Sequence, residues 1–124
     1  MSNKKQDKKI LLDNIIEGIE NVKGQDITIL DFSELDNNIT DYFVICTGNT
    51  NTQVSAISDS VERIVKTHLH ERPWHVEGSD NSQWVLMDYI SIVVHIFQPE
   101  YREYYDLESL WGDVQITQIP NASA

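Results

Sequence analysis

The sequence predicts a single-domain α/β fold in which a mixed five-stranded sheet is flanked by helices. Two long segments, residues 10–22 and 54–69, carry apolar residues at helical spacing. Around them lie short runs rich in β-branched and aromatic residues, which are typical of strands. The chain has 124 residues, of which 40% are hydrophobic. This is enough for one core, so we expect no second domain.

The first predicted helix covers residues 10–22 and ends before Gly24, a residue type that commonly stops helices. Residues 26–32 are rich in β-branched side chains, which predicts a strand. Residues 41–47 form an almost continuous apolar run, which is typical of a central strand buried on both faces. Cys46 lies within that run and is interpreted as a small buried hydrophobic residue.

The second predicted helix follows Thr50 and Gln53, which have the spacing of a capping box. After this helix, residues 74–76 predict a short strand. Residues 83–89 and 92–98 are two further predicted strands. Because only two residues separate them, we expect them to pair as an antiparallel hairpin.

The last predicted helix begins at Pro99, because proline suits the first helical turn. This helix carries Tyr101, Tyr104 and Tyr105, and its predicted buried face comprises Tyr105, Leu107 and Trp111, with Leu110 and Trp111 closing its end. We therefore divide the chain into a basic flexible N-terminus (1–9), an α/β domain (10–111) and a C-terminal tail (112–124). The tail alternates at Val114, Ile116 and Ile119, which predicts a loose end or a weak added strand.

Charge is distributed unevenly along the chain. Residues 1–9 hold four Lys and one Asp, a net charge of +3, and the remaining residues carry −14. An acidic body repels nucleic acid phosphates, so we expect little direct nucleic-acid contact. A basic protein is the expected partner, although the acidity also has the simpler interpretation of solubility.

The composition favours a cytoplasmic protein. No apolar run approaches the ~20 residues of a membrane-spanning helix, so no membrane contact is expected. The basic start of the chain lacks the uninterrupted apolar stretch of a secretory signal. A single cysteine excludes an internal disulfide, which suits a reducing compartment.

Several separated motifs between about residues 26 and 111 resemble one protein family. They are DYFVICTG (41–48), EG (77–78), WVLMDY (84–89), VHIF (94–97) and YREYYDLESLW (101–111). In this order and spacing the chain resembles the ribosomal silencing factor family, also called the iojap family. The resemblance implies a nucleotidyltransferase-like α/β fold.

The resemblance also implies a function. Members bind the large ribosomal subunit at universal large-subunit protein fourteen, on the face that joins the small subunit, and thereby block association with that subunit. The expected activity is translational repression by occupancy, without catalysis or a cofactor. The resemblance further implies a possible homodimer.

The expected partner-binding surface lies on the strand at residues 83–89. In a strand, Trp84, Leu86 and Asp88 point to one face, and Val85, Met87 and Tyr89 to the other. An aromatic anchor, an aliphatic contact and a carboxylate form a typical interface composition, although Trp84 could equally belong to the core. In the family the matching strand and the nearby turn face the ribosomal protein, so the predicted partner-binding residues are Trp84, Leu86, Asp88, Tyr89, Glu77 and Asp80.

An enzyme of the nucleotidyltransferase fold is an alternative to a binding protein. Nucleotidyltransferases place a Gly-Gly or Gly-Ser turn before a helix and two carboxylates one residue apart on a following strand. Here the turn is Gly48-Asn49 and the strand offers Asp88 alone, so a metal clamp lacks one ligand. An altered enzyme of this fold and a generic acidic adaptor therefore remain as alternatives to ribosomal silencing.

A metal site is not expected from the four histidines. His68 and His70 point to different sides of a helix, while His75 and His95 belong to separate strands. His95 is interpreted as a half-buried side chain that hydrogen-bonds to a neighbour.

Overall fold

A computed structural model describes residues 4–36 and 40–121 as one mixed α/β domain. Its elements in chain order are α1 (Lys4–Asn21), β1 (Gln25–Asp31), β2 (Tyr42–Thr47), α2 (Asn51–Leu69), β3 (His75–Glu77), β4 (Trp84–Asp88), β5 (Ile92–Phe97), α3 (Pro99–Tyr105), a 3-10 helix (Leu107–Leu110) and β6 (Gln115–Gln118). The predicted class of fold is confirmed, and the nucleotidyltransferase-like kinship stays a prediction.

The sheet has six strands in the order β3-β4-β5-β2-β1-β6. Its central pair, β2 and β5, is parallel, and its four other pairs are antiparallel. The prediction of five strands is therefore wrong by one, because β6 adds to β1 at the edge. All four residues of β6 are exposed. An edge strand with one apolar residue among four gives only a weak sequence signal.

The helices α1 and α2 lie side by side on one face of the sheet and cover the main core. Their close contact requires Gly18, because a Cβ atom there would lie 2.7 Å from the Cα atom of Val61. The Ser60 hydroxyl donates a hydrogen bond of 2.7 Å to the Gly18 carbonyl oxygen. Side chains such as Ile15 and Ile57 are fully buried here, and each such burial stabilises the fold by roughly 1.5–3 kcal/mol.

The predicted capping interaction starts α2. The Thr50 hydroxyl accepts a hydrogen bond from the Gln53 backbone N–H at 3.1 Å. The Gln53 carbonyl oxygen Oε1 in turn accepts from the backbone N–H of Asn49 at 2.7 Å, one residue before the usual capping-box partner. Two backbone donors at the start of the helix are thus satisfied.

The opposite face of the sheet is covered only in part. There α3 and the 3-10 helix pack onto a smaller cluster that includes Phe97 and Ile45. Arg102 holds α3 against the sheet through three hydrogen bonds. Its guanidinium donates to the Asp26 carbonyl oxygen at 2.6 Å and to the hydroxyls of Thr47 and Thr28 at 2.9 and 3.0 Å. Its Nε also forms an ion pair with Glu108 at 3.2 Å.

Three ends of elements differ from the sequence prediction. Residues 1–9 were expected to be flexible, but α1 already begins at Lys4 because no helix-breaking residue separates it from the apolar stripe; residues 1–3 lie outside the described residues. After α1, it is Lys23 (φ 61°) and not Gly24 that adopts the left-handed backbone conformation. Gly24 instead packs tightly, since a Cβ atom there would lie 2.4 Å from Ile19 Cγ2.

The end of α3 was also predicted incorrectly. The helix stops at Tyr105, where Asp106 adopts a left-handed conformation (φ 44°) and turns the chain. As a result Tyr104, Tyr105 and Leu110 are exposed, whereas Leu107 and Trp111 pack against the smaller cluster. The predicted burial of Tyr105 and the closing role of Leu110 are therefore wrong.

Across residues 4–36 and 40–121, every helix falls short of the length or the apolar character that crossing a membrane requires.

Candidate functional site

The candidate site is a groove on the sheet face opposite α1 and α2, at the end that α3 leaves uncovered. We call it the open-face groove. It has a volume of about 620 Å³. It is lined by residues from five parts of the chain: Phe32, Leu35, Asp36, Thr40, Phe43, Trp74, Leu86, Asp88, Ile90, Val93, His95 and Trp111.

The strand β4 supplies two of the predicted contact residues to this groove. Its residues alternate between half-buried and buried along the strand. Val85 and Met87 are buried beneath the helices, while Trp84, Leu86 and Asp88 lie on the other face. The predicted alternation is confirmed, and Leu86 and Asp88 line the open-face groove.

Tyr89 does not belong to this surface. It is 6% exposed and packs in the main core on the helix-covered face. Burial, together with the nearby carboxylates of Glu62 and Glu71, raises the pKa of its hydroxyl well above the usual range. Its prediction as a partner-binding residue is therefore wrong, since its alternation places it with Met87.

Trp84 forms the boundary between the groove and α3. Its indole stacks on Phe97 with ring centroids 4.9 Å apart and contacts Tyr105 at 4.7 Å. The indole N–H donates to Nδ1 of His95 at 3.1 Å. Trp84 is thus a half-buried, oriented side chain that belongs partly to the smaller cluster and partly to the surface.

His95 is more deeply buried than the sequence suggested. It is 3% exposed, and burial lowers the pKa of its imidazole from the usual 6.5 to about 4. Since Nδ1 accepts from the indole of Trp84, which can only donate, Nε2 carries the proton. Nε2 is buried and has no hydrogen-bond partner among the described residues. The groove floor is therefore uncharged at neutral pH.

Of the two predicted acidic residues in the β3–β4 region, Glu77 lies opposite a residue that lines the groove. Glu77 pairs with Leu86 across the two strands, and residues directly opposite each other share a face of the sheet. Its carboxylate accepts from His75 Nε2 at 2.6 Å at the sheet edge. Asp80 is exposed in the following turn and does not line the groove.

The turn that carries Asp80 depends on one glycine. Gly78 has φ +89°, and a Cβ atom there would lie 1.9 Å from the Trp84 carbonyl oxygen. Only glycine combines this backbone conformation with so close an approach. Gly78 therefore fixes where β4 begins and where Trp84 lies.

Sequence reasoning missed the most exposed side chains of the site. Trp74 and Ile90 are 76% and 64% exposed and form one side of the groove. Leu35 and Asp36 come from the loop after β1. An apolar residue within a tight turn, as at Ile90 (φ 73°), was an available signal, because turns favour small polar residues.

A second, more polar cavity of about 930 Å³ surrounds Arg102 and reaches Asn49 before α2. It bears on the nucleotidyltransferase alternative, because a phosphate would have to bind near that turn. The described lining holds the carboxylates of Asp26, Glu103, Asp106 and Glu108, and the guanidinium of Arg102 is already bonded to the protein. This arrangement disfavours a triphosphate.

Metal binding gains no support from the described residues. In residues 4–36 and 40–121 no three His, Cys, Asp or Glu side chains come together in an arrangement that could hold an ion. Cys46 is fully buried, and burial raises the pKa of its thiol to about 12. A thiol of this kind is unreactive, which agrees with its interpretation as a buried hydrophobic residue.

Comparison with known proteins gave consistent matches. Residues 4–124 match the family described as ribosomal silencing factor during starvation. A ribosomal silencing factor from Bacillus subtilis is 39% identical over 100 residues, covering 78% of this chain and 80% of that protein. A mouse protein named mitochondrial assembly of ribosomal large subunit protein 1 is 32% identical over 120 residues, covering 90% of this chain and 51% of that protein.

The fold has a close counterpart among solved structures. A crystal structure of a protein from Chromobacterium violaceum aligns with a TM-score of 0.79 and 34% sequence identity. The alignment covers 94% of this chain and 92% of the other. Two chains with this identity and overlap share the arrangement of helices and strands described above.

Proposed function

The chain belongs to the ribosomal silencing factor family, and from that membership we propose that it represses translation in the cytoplasm. In this proposal it binds the large ribosomal subunit at universal large-subunit protein fourteen and blocks association with the small subunit. The names of the relatives support the first part, since they refer to ribosomal silencing and to the large subunit.

The observation that carries the proposal is the exposed apolar side of the open-face groove. Trp74 and Ile90 present large hydrophobic surfaces to solvent beside the part of the sheet face that α3 leaves uncovered. Contiguous exposed apolar surface bordered by polar residues marks protein interfaces. An aromatic side chain beside Leu86 and Asp88 supplies the composition of an interface hot spot.

The proposed contact surface modifies the sequence prediction. It keeps Leu86 and Asp88 at the centre, Trp84 at the boundary, and the carboxylates of Glu77 and Asp80 at the periphery, and it adds Trp74 and Ile90. Tyr89 contributes only by packing beneath the strand.

Charge supports a basic ribosomal protein as the partner. The chain has a net charge of −11, and residues 10–124 alone carry −14. Complementary charge accelerates encounter and disfavours partners of like sign. A surface with this charge reaches a basic protein while ribosomal RNA repels it.

The mechanism we propose is steric. A compact domain of this length has a radius of gyration of about 14 Å, so a bound copy projects tens of ångströms from the subunit. Two ribosomal subunits cannot close over an object of that thickness. Repression then requires occupancy alone, with no chemical step and no cofactor.

A homodimer is a second use for the same surface. Exposed apolar side chains such as Trp74 favour self-association, and a copy engaged in this way is unable to bind the ribosome. Sedimentation of the purified protein across a concentration range, alone and with large subunits, tests this competition. Trp74→Ala is expected to weaken both associations, and loss of only one contradicts a shared surface.

Sucrose-gradient co-sedimentation with separated large and small subunits tests the function. We expect the wild-type protein to travel with large subunits only and to reduce their reassociation with small subunits. The informative variant is Asp88→Lys combined with Leu86→Ala, because both side chains line the groove and are only half-buried. Trp84→Ala is less suitable, since this residue also supports the smaller cluster.

A matched control uses the other side of the domain. Asp59 is exposed on α2, whose buried side chains cover the opposite face of the sheet. Asp59→Lys makes the same change of charge away from the groove and should leave binding intact. Wild type that stays at the top of the gradient contradicts the ribosomal function, and a control as weak as the groove variant contradicts the assignment of the surface.

A further inference from the structure

We propose that the open-face groove binds an extended segment of the basic partner in which a large apolar residue lies between two Lys or Arg residues. This inference rests on the proposed function, because it specifies the chemistry of the partner that the groove recognises. It follows from the floor, the sides and the two carboxylates of the groove.

The floor and sides select the apolar residue. Leu86, Val93 and Phe43 form an apolar floor across three neighbouring strands. Trp74 and Ile90 stand on one side. A groove of about 620 Å³ exceeds one side chain, so it has room for a large apolar group together with the backbone on either side of it.

The two carboxylates select the cations. Asp88 and Asp36 line the groove, and no Lys or Arg lines it among the described residues. The Asp88 side chain is held in place, because its Oδ1 accepts from the Ile90 backbone N–H at 2.7 Å. His95, in the floor, is neutral near pH 7 because burial lowers its pKa to about 4. The charge of the groove is therefore set by the two carboxylates, and it is negative.

The distance between the elements that carry Asp88 and Asp36 suggests how far apart the two cations lie in the bound segment. Asp88 ends β4 and Asp36 belongs to the loop after β1, and β5 and β2 lie between these strands. Three strand spacings amount to about 14 Å. An extended chain covers that distance in about four residues, so the cations are expected two residues before and two residues after the apolar residue.

Titration of the full-length protein with short capped peptides, followed by NMR amide shifts, tests this inference without the ribosome. The probe is Lys-Thr-Phe-Thr-Lys, and its comparisons replace both Lys with Glu or replace Phe with Ser. We expect the probe to shift the amides of Leu86, Val93 and Ile90. Each comparison peptide should bind at least about tenfold more weakly.

Variants assign the cation contacts. Asp36→Asn and Asp88→Asn are each expected to weaken binding of the probe by about threefold, while Asp59→Asn on α2 leaves it unchanged. Asn retains an oxygen for the Ile90 N–H, which protects the fold of the Asp88 variant. Equal binding of the Lys and Glu peptides, shifts confined to another surface, or no shifts at millimolar peptide overturns the inference.

The outcome is separable from that of the ribosome experiment. Peptide binding in the groove without binding to large subunits supports the chemistry of the groove and contradicts silencing. Binding to large subunits that survives both the Asp36 and Asp88 changes, together with no peptide preference, supports silencing and contradicts this inference.

Discussion

Acidification is expected to destabilise this protein through His95, a buried imidazole at the floor of the open-face groove. In the folded protein its pKa is lowered to about 4 by burial, whereas in the unfolded chain it returns to about 6.5. Between these values the unfolded chain takes up a proton that the folded protein does not. The stability that depends on neutral His95 is therefore fully present above about pH 6.5 and is lost as the pH falls toward 4.

The size of this effect follows from the shift. Each pKa unit corresponds to about 1.4 kcal/mol, so the full loss below pH 4 is roughly 3 kcal/mol. Near pH 5 about 2 kcal/mol should already be lost. Solvent screens this imidazole little, because His95 is only 3% exposed.

Urea unfolding at about pH 7 and about pH 5 measures the effect, with His95→Asn as the control. Asn can still accept the hydrogen bond from Trp84 Nε1 but does not titrate. The other three histidines and all the carboxylates are common to both proteins and cancel in the comparison. The wild type should lose about 2 kcal/mol more than the variant between the two pH values. Equal losses refute the buried, neutral state of His95.

Three further predictions concern stability and reactivity. Gly78→Ala should lower the free energy of unfolding by more than about 2 kcal/mol in urea, because its Cβ meets the Trp84 carbonyl oxygen, whereas Gly112→Ala, with open space around it, should be nearly neutral. Arg102→Met should cost about 2–4 kcal/mol and increase amide hydrogen exchange in α3, and unchanged exchange there contradicts its fastening role. Cys46 should resist a thiol reagent at pH 8 until denaturant is added, and rapid labelling of the folded protein contradicts its burial.

Local chemistry could be predicted well from the sequence. The alternation of β4, the Thr50–Gln53 cap and the start of α3 at Pro99 each depend on neighbouring residues, and each is confirmed. Features of this kind need only the chain's own periodicity and the known preferences of residue types.

The remainder of the site depends on which strands become neighbours. Asp36, Trp74 and Ile90 lie in different loops of the sequence and line one groove because the order β3-β4-β5-β2-β1 brings these loops to one end of the sheet. Periodicity contains no information about that order. For the same reason the edge strand β6 was weakly predicted, since its stability comes from pairing with β1 rather than from its own pattern.

The central pair of parallel strands has a consequence for when the open-face groove can form during synthesis of the chain. β2 pairs with β5 only after α2, β3 and β4 have been made, with Tyr42 opposite Ile92, and Trp111 closes the groove later still. No fragment that ends before Trp111 contains the complete groove. A growing chain therefore cannot form the complete groove until Trp111 has been made.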